Sequence, residues 1–123
     1  MEIKRDLYLN RLIRSMHNGM IKVVTGIRRC GKSYLLFNIF KNYLLEQGIP
    51  VSHIITIELD QRKNKKYRDP DIILDFIESL IEDDEQYYIM LDEVQMLQEF
   101  EEVLNSLLHI KNADIYVTGS NSK

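Results

Sequence analysis

One run of eight residues has the types and spacing that bind a polyphosphate. The run consists of Gly26, Ile27, Arg28, Arg29, Cys30, Gly31, Lys32 and Ser33, and it matches the pattern G-x-x-x-x-G-K-[ST]. Glycine lacks a Cβ, so the backbone can turn its N–H groups towards an anion. Lys32 adds a charge for the β- and γ-phosphates, and the hydroxyl of Ser33 can bind Mg²⁺. The run therefore predicts a phosphate-binding loop.

The residues on either side of this loop predict the elements that such a loop needs. Residues 21–25 are apolar and β-branched enough for a buried strand, and apolar residues recur every three or four positions over 34–47. A loop that leads into a helix gains the positive end of the helix dipole. The alternative, a chance match in a surface turn, does not explain these flanks. The predicted nucleotide-binding residues run from Gly26 to Tyr34.

A second run, 86–93, ends an apolar strand with two carboxylates. Asp92 and Glu93 follow Ile89, Met90 and Leu91, and 89–93 has the Walker B form. Asp92 would lie at the carboxyl edge of a parallel sheet and support Mg²⁺, and Glu93 could polarise an attacking water. An ordinary strand end is the alternative. Asp92 follows Lys32 by 60 residues, and the strand and two helices predicted between them fit the functional interpretation.

Composition limits the class of protein. The 123 residues predict one domain, 1–123, and a hydrophobic fraction of 45% suffices for a core. No apolar run reaches the ~18 residues of a membrane span, and the N-terminal residues lack a signal-peptide pattern. The single cysteine, Cys30, indicates a reducing compartment. We therefore expect a cytoplasmic protein without a membrane partner.

Charge is distributed unevenly along the chain. Residues 1–35 hold eight Lys and Arg against two acids, whereas 75–102 hold eleven acids and no Lys or Arg. An anionic nucleotide is enough to explain the basic end. A further five basic residues fall within 62–68. We interpret 61–68 as a mobile surface loop, which is either a solvated connector, the favoured alternative, or a contact for nucleic acid or a protein partner.

The remaining patterns predict an α/β fold with a parallel sheet and helices on both faces. Helices are expected over 6–18, 69–83 and 100–108, and strands over 53–59 and 114–120. Asp69 and Pro70 read as the N-cap and first residue of their helix. His17, His53 and His109 are too scattered to form a set of metal ligands.

Three motifs together resemble a known family. The loop 26–33, the run Ile89 to Gln95 and the strand end Val117 to Ser120 are similar to the N-terminal part of a bacterial and archaeal family of AAA+-type ATPases that carry a C-terminal domain of unknown function. The resemblance implies a P-loop NTPase fold of the AAA+/ASCE type with strand order 1-4-3-2. It also implies Mg²⁺-dependent binding and hydrolysis of ATP, with ADP as product. Ser120 would be the γ-phosphate sensor, with Thr118 or Asn121 as substitutes, near 118–121.

The sequence also departs from that family. The family continues with a fifth strand, a helical lid and a further domain, so we expect a truncated fragment that lacks an arginine finger. Many AAA+ proteins hold the catalytic Glu with a neutral polar residue on strand two, where this chain has Glu58 and Asp60, which would repel Glu93. The open edge of strand one predicts self-association, against which Lys22 would offer some protective charge, as would Arg28.

Three functions remain open from the sequence. The first is an ATPase, a hydrolase of the β-γ phosphoanhydride in the intact protein, with Lys32, Glu93 and Ser120 as catalytic residues. The second is a nucleotide-binding switch or scaffold with little or no hydrolysis. The third and least favoured is a P-loop kinase, because Asp92 and Glu93 suit an attacking water better than a second substrate.

Overall fold

The computed structural model describes residues 2–25 and 31–119, and only the backbone for 2–6. Its helices are α1 (Glu2–Ser15), α2, α3 (Pro70–Leu80) and α4 (Phe100–Leu108). Helix α2 has three consecutive segments, which are α-helical Lys32–Tyr34, π-helical Leu35–Phe40 and α-helical Lys41–Glu46. The strands are β1 (Lys22–Val24), β2 (Ile54–Glu58), β3 (Tyr87–Asp92) and β4 (Ala113–Thr118). Short 3₁₀ helices cover Val51–His53, Arg62–Arg68 and Val94–Met96.

The four strands form one parallel sheet in the order β1-β4-β3-β2. This order confirms the α/β fold and the strand order expected from the sequence. Strands β3 and β4 lie at its centre, and every residue of β3 is buried. Because all strands run in the same direction, their carboxyl ends meet at one edge of the sheet.

Both faces of the sheet are covered by helices. Alternate strand residues point to opposite faces, so Ile57, Ile89 and Ile115 pack in one core with α3 and α4. Their neighbours Met90 and Tyr116 pack with α1 and α2 in a second core. Burial on both faces explains why the central strands are continuous apolar runs.

Several segments differ from the sequence expectation, among them α1, which begins at Glu2 rather than Asp6, and β4, which covers Ala113–Thr118 rather than 114–120. Helix α1 ends at Ser15 rather than residue 18, because the chain reverses through His17, whose φ is 60°. Helix α3 ends at Leu80 rather than residue 83. Residues 62–68 form a 3₁₀ helix instead of a mobile loop.

The edge strand β1 also corrects one expectation. Val23 is 59% exposed, as an edge position requires, but Lys22 is buried and paired with Asp114. Lys22 therefore offers no protective charge at the edge. Among the described residues, no helix is both long and apolar enough to cross a membrane.

Candidate functional site

The described part of the predicted phosphate loop begins at Gly31. Gly31 has a φ of 103°, a left-handed conformation that favours glycine, although a Cβ there would meet no atom within 4 Å. Its carbonyl accepts a hydrogen bond from the Leu35 N–H at 2.6 Å. Gly31 is thus needed for the backbone turn that starts α2 at Lys32.

The first residues of α2 contact the end of β3. The ammonium of Lys32 lies 2.8 Å from Oε2 of Glu93, and only 8% of Lys32 is exposed. The hydroxyl of Ser33 donates to Oδ1 of Asp92 at 2.7 Å. The contacting residues are 61 and 59 positions apart in the sequence, respectively. The two predicted motifs therefore meet at the carboxyl edge of the sheet.

Strand β4 supports these carboxylates through Thr118. The buried Thr118 hydroxyl donates to Oδ1 of Asp92 and accepts the backbone N–H of Glu93 at 2.8 Å. Asp92 is itself 5% exposed. Since Thr118 orients both Asp92 and the backbone of Glu93, its hydroxyl is already committed to holding the site.

Glu93 leaves the strand in an unusual backbone conformation. Its φ and ψ are 56° and 58°, a left-handed conformation that costs of order 1–3 kcal/mol for a residue other than glycine. Gln95 donates from Nε2 to Oε1 of Glu93 at 2.7 Å, so each carboxylate oxygen of Glu93 has a hydrogen-bond partner. The conformation turns the Glu93 side chain back towards Lys32.

A third carboxylate lies beside this pair. Ligand oxygens of Asp60, Asp92 and Glu93 all lie within 4.8 Å of one another. Asp60 is therefore close enough to Glu93 for the repulsion expected from the sequence. Carboxylates and the Ser33 hydroxyl are hard oxygen donors, the chemistry that Mg²⁺ prefers, so the residues present fit that ion.

The structure brings together Lys32, Ser33, Asp92 and Glu93, and places Tyr34 next to them on α2, 48% exposed. Residues Gly26, Ile27, Arg28, Arg29 and Cys30, together with Ser120 and Asn121, lie outside the described residues. Sequence reasoning did not assign Gln95 a contact with Glu93. The signal available was its place at the end of the family-like run Ile89 to Gln95, three residues after β3.

Comparisons with known proteins give the family. A protein-family model described as "AAA domain" matches residues 18–123. A Haemophilus influenzae protein described as uncharacterized is 33% identical over 121 residues, which is 98% of this chain and 30% of that protein. This chain thus spans about a third of the length of that relative. No solved structure matches this chain. Because the family match covers most of the chain, the chain belongs to the AAA domain family, a nucleotide-binding class of P-loop, ATPase-like proteins.

Proposed function

We propose that this domain binds ATP and ADP with Mg²⁺, and that the whole protein of which it is part hydrolyses ATP. The observation that carries the proposal is the contact of Lys32 with Glu93 and of Ser33 with Asp92 at one sheet edge. A phosphate-binding lysine, a hydroxyl and two carboxylates are the side chains that phosphoryl transfer to water requires.

Each of these residues has one role in the proposal. Lys32 binds the β- and γ-phosphates, exchanging its contact with Glu93 for the phosphate oxygens. Ser33 and Asp92 hold Mg²⁺, which supplies charge neutralisation on the phosphates when bound. Glu93, released from Lys32, orients and polarises the water. The loop residues 26–30, Tyr34 and the sensor at Ser120 complete the site as expected from the sequence.

The role of Ser33 can be tested by calorimetry. The ATP affinity is measured once with Mg²⁺ present and once with Mg²⁺ removed by a chelator. We expect Ser33→Ala to reduce the difference between these two affinities, because the variant removes a Mg²⁺ ligand. Ser106→Ala, on the exposed side of α4, is the matched control and should keep the difference seen in the parent. An unchanged Mg²⁺ dependence in Ser33→Ala would contradict the assignment of Ser33.

One observation favours a second candidate, the nucleotide switch with little hydrolysis. Both carboxylate oxygens of Glu93 are engaged, by Lys32 and Gln95, so in this conformation Glu93 is not placed to act on water. Phosphate release by the longer protein separates the candidates. A hydrolase should lose turnover in Glu93→Gln while still binding ATP, whereas a switch should show negligible turnover before the substitution.

A further inference from the structure

The 3₁₀ helix Arg62–Arg68 presents basic side chains in a regular array. A 3₁₀ helix has three residues per turn, so residues three apart lie above one another. Asn64 and Tyr67 form one row and are partly buried against the protein. Arg62, Lys65 and Arg68 form a second row, and Lys63 and Lys66 form the third; Arg68 is partly buried, whereas the other four residues are exposed. All four outward positions are therefore positively charged.

Contacts with the rest of the fold hold this helix in place. Asn64 donates from Nδ2 to the Glu58 carbonyl at 2.9 Å, and Arg68 donates from Nε to the Leu59 carbonyl at 2.8 Å. The ring of Tyr67 stacks on Phe76 with centroids 4.5 Å apart. The basic rows are thus carried by a fixed backbone, which lowers the entropy cost of engaging a partner.

The four outward charges are not used inside the domain. Within the described part of the chain, none of them lies within 4.0 Å of a carboxylate. Lys66 only covers the neighbouring ring of Tyr67, at 5.2 Å from its centroid. Of the nearby acids after the helix, Asp69 is occupied as the N-cap of α3. The array is available to a polyanion in solution.

We propose that this 3₁₀ helix binds the phosphate backbone of a nucleic acid without reading its sequence. A 3₁₀ helix rises about 2.0 Å per residue, so charges in one row are about 6 Å apart. Phosphates of one DNA strand recur about every 3.4 Å of rise along the helix axis and also wind around it, so neighbouring phosphates lie farther apart in space than this rise, and one row can contact successive phosphates. A duplex carries one negative charge per about 1.7 Å of axis, a denser polyanion than carboxylates on one face of a β-strand, which recur about every 6.6 Å. Tyr67 packs inward on Phe76, so it is not available to stack on bases. This proposal is independent of the nucleotide site.

Salt dependence of binding is the test. The affinity of the chain for a short labelled DNA duplex of random sequence is measured between about 50 and 200 mM salt. If all four side chains contact phosphates, log K should fall against log salt with a slope of about −3.6. The double variant Lys63→Gln/Lys66→Gln should halve this slope, and so should Arg62→Gln/Lys65→Gln.

A matched control separates local contacts from net charge. Arg14→Gln/Lys111→Gln also removes two exposed positive charges, but from α1 and from the turn before β4, and should leave the slope at its parent value. A single-stranded RNA of random sequence should also bind, with the smaller slope typical of single strands. The proposal is overturned if the control lowers the slope as much as the helix variants, if the helix variants keep the parent slope, or if an acidic polyglutamate peptide competes as strongly as the duplex.

Discussion

Thr118 shows how one hydroxyl can organise a site at the scale of single residues. Its oxygen donates to Asp92 and accepts the Glu93 N–H, and the residue has no exposed surface. We expect Thr118→Val to lower the free energy of unfolding by about 1–3 kcal/mol, because the shape is kept while a buried N–H loses its acceptor. Urea denaturation measures the change.

Thr56→Val is the matched control for this prediction. Thr56 lies on β2, the strand at the other end of the sheet from β1, and is only partly buried, and its hydroxyl has no hydrogen-bond partner among the described residues. The control should change the free energy of unfolding by less than about 0.5 kcal/mol. Equal losses in the two variants would show that the Thr118 hydroxyl has no special part in the site.

The buried ion pair of Lys22 and Asp114, near the amino-terminal ends of β1 and β4, could not be predicted from the sequence. Asp114 accepts hydrogen bonds from Lys22, from the Tyr116 hydroxyl at 2.6 Å and from the His17 N–H at 2.9 Å. Burial, followed by this bond to Asp114, raises the pKa of Tyr116. Lys22 and His17 lie 92 and 97 residues from Asp114 in the sequence, and no local pattern shows that a lysine on an edge strand turns inward. The Walker residues were predictable because their motifs fix both type and spacing.

At the scale of elements, the sequence predicted the helices and strands whose apolar residues recur with one regular spacing. The apolar spacing of α2 predicted its buried face, with Leu36, Phe40 and Leu44 fully buried, but it did not reveal the π-helical segment Leu35–Phe40. The 3₁₀ helix 62–68 was interpreted as a loop because five of its seven residues are basic, so the sequence shows no apolar face there. Short elements of this kind depend on anchors to distant backbone groups, such as the Leu59 carbonyl that Arg68 binds.

Strand β1 gives the prediction that belongs to the scale of elements. It pairs only with β4 in the described sheet, and Val23 is 59% exposed. Because open strand edges pair with other chains, we propose that this chain self-associates through β1 at high concentration. Val23→Lys should reduce light scattering by placing a charge on that edge.

The control for the edge prediction is a second exposed valine. Val51 is 61% exposed and lies in the 3₁₀ helix before β2, so Val51→Lys adds the same charge away from β1. It should scatter light as the parent does. Equal effects of both lysines would assign the change to net charge, and a monomeric parent would remove the basis for self-association.

At the scale of the whole molecule, the family match and the parallel sheet fit a nucleotide-binding domain with a phosphate loop after its first strand. Ligand that binds only the folded chain stabilises it as a whole, by about 2.7 kcal/mol at 100 times the Kd. Such stabilisation does not require turnover. It therefore reports on binding even in a chain that spans about a third of its relative.

The melting temperature in Mg·ATP tests the central claim most directly. Mg·ATP should raise the Tm of the parent and barely move that of Lys32→Ala, which lacks the charge for the β- and γ-phosphates. Lys41→Ala, on the later α-helical segment of α2, should retain the full shift. Equal shifts in the parent and Lys32→Ala would contradict the assignment of Lys32 and the phosphate loop.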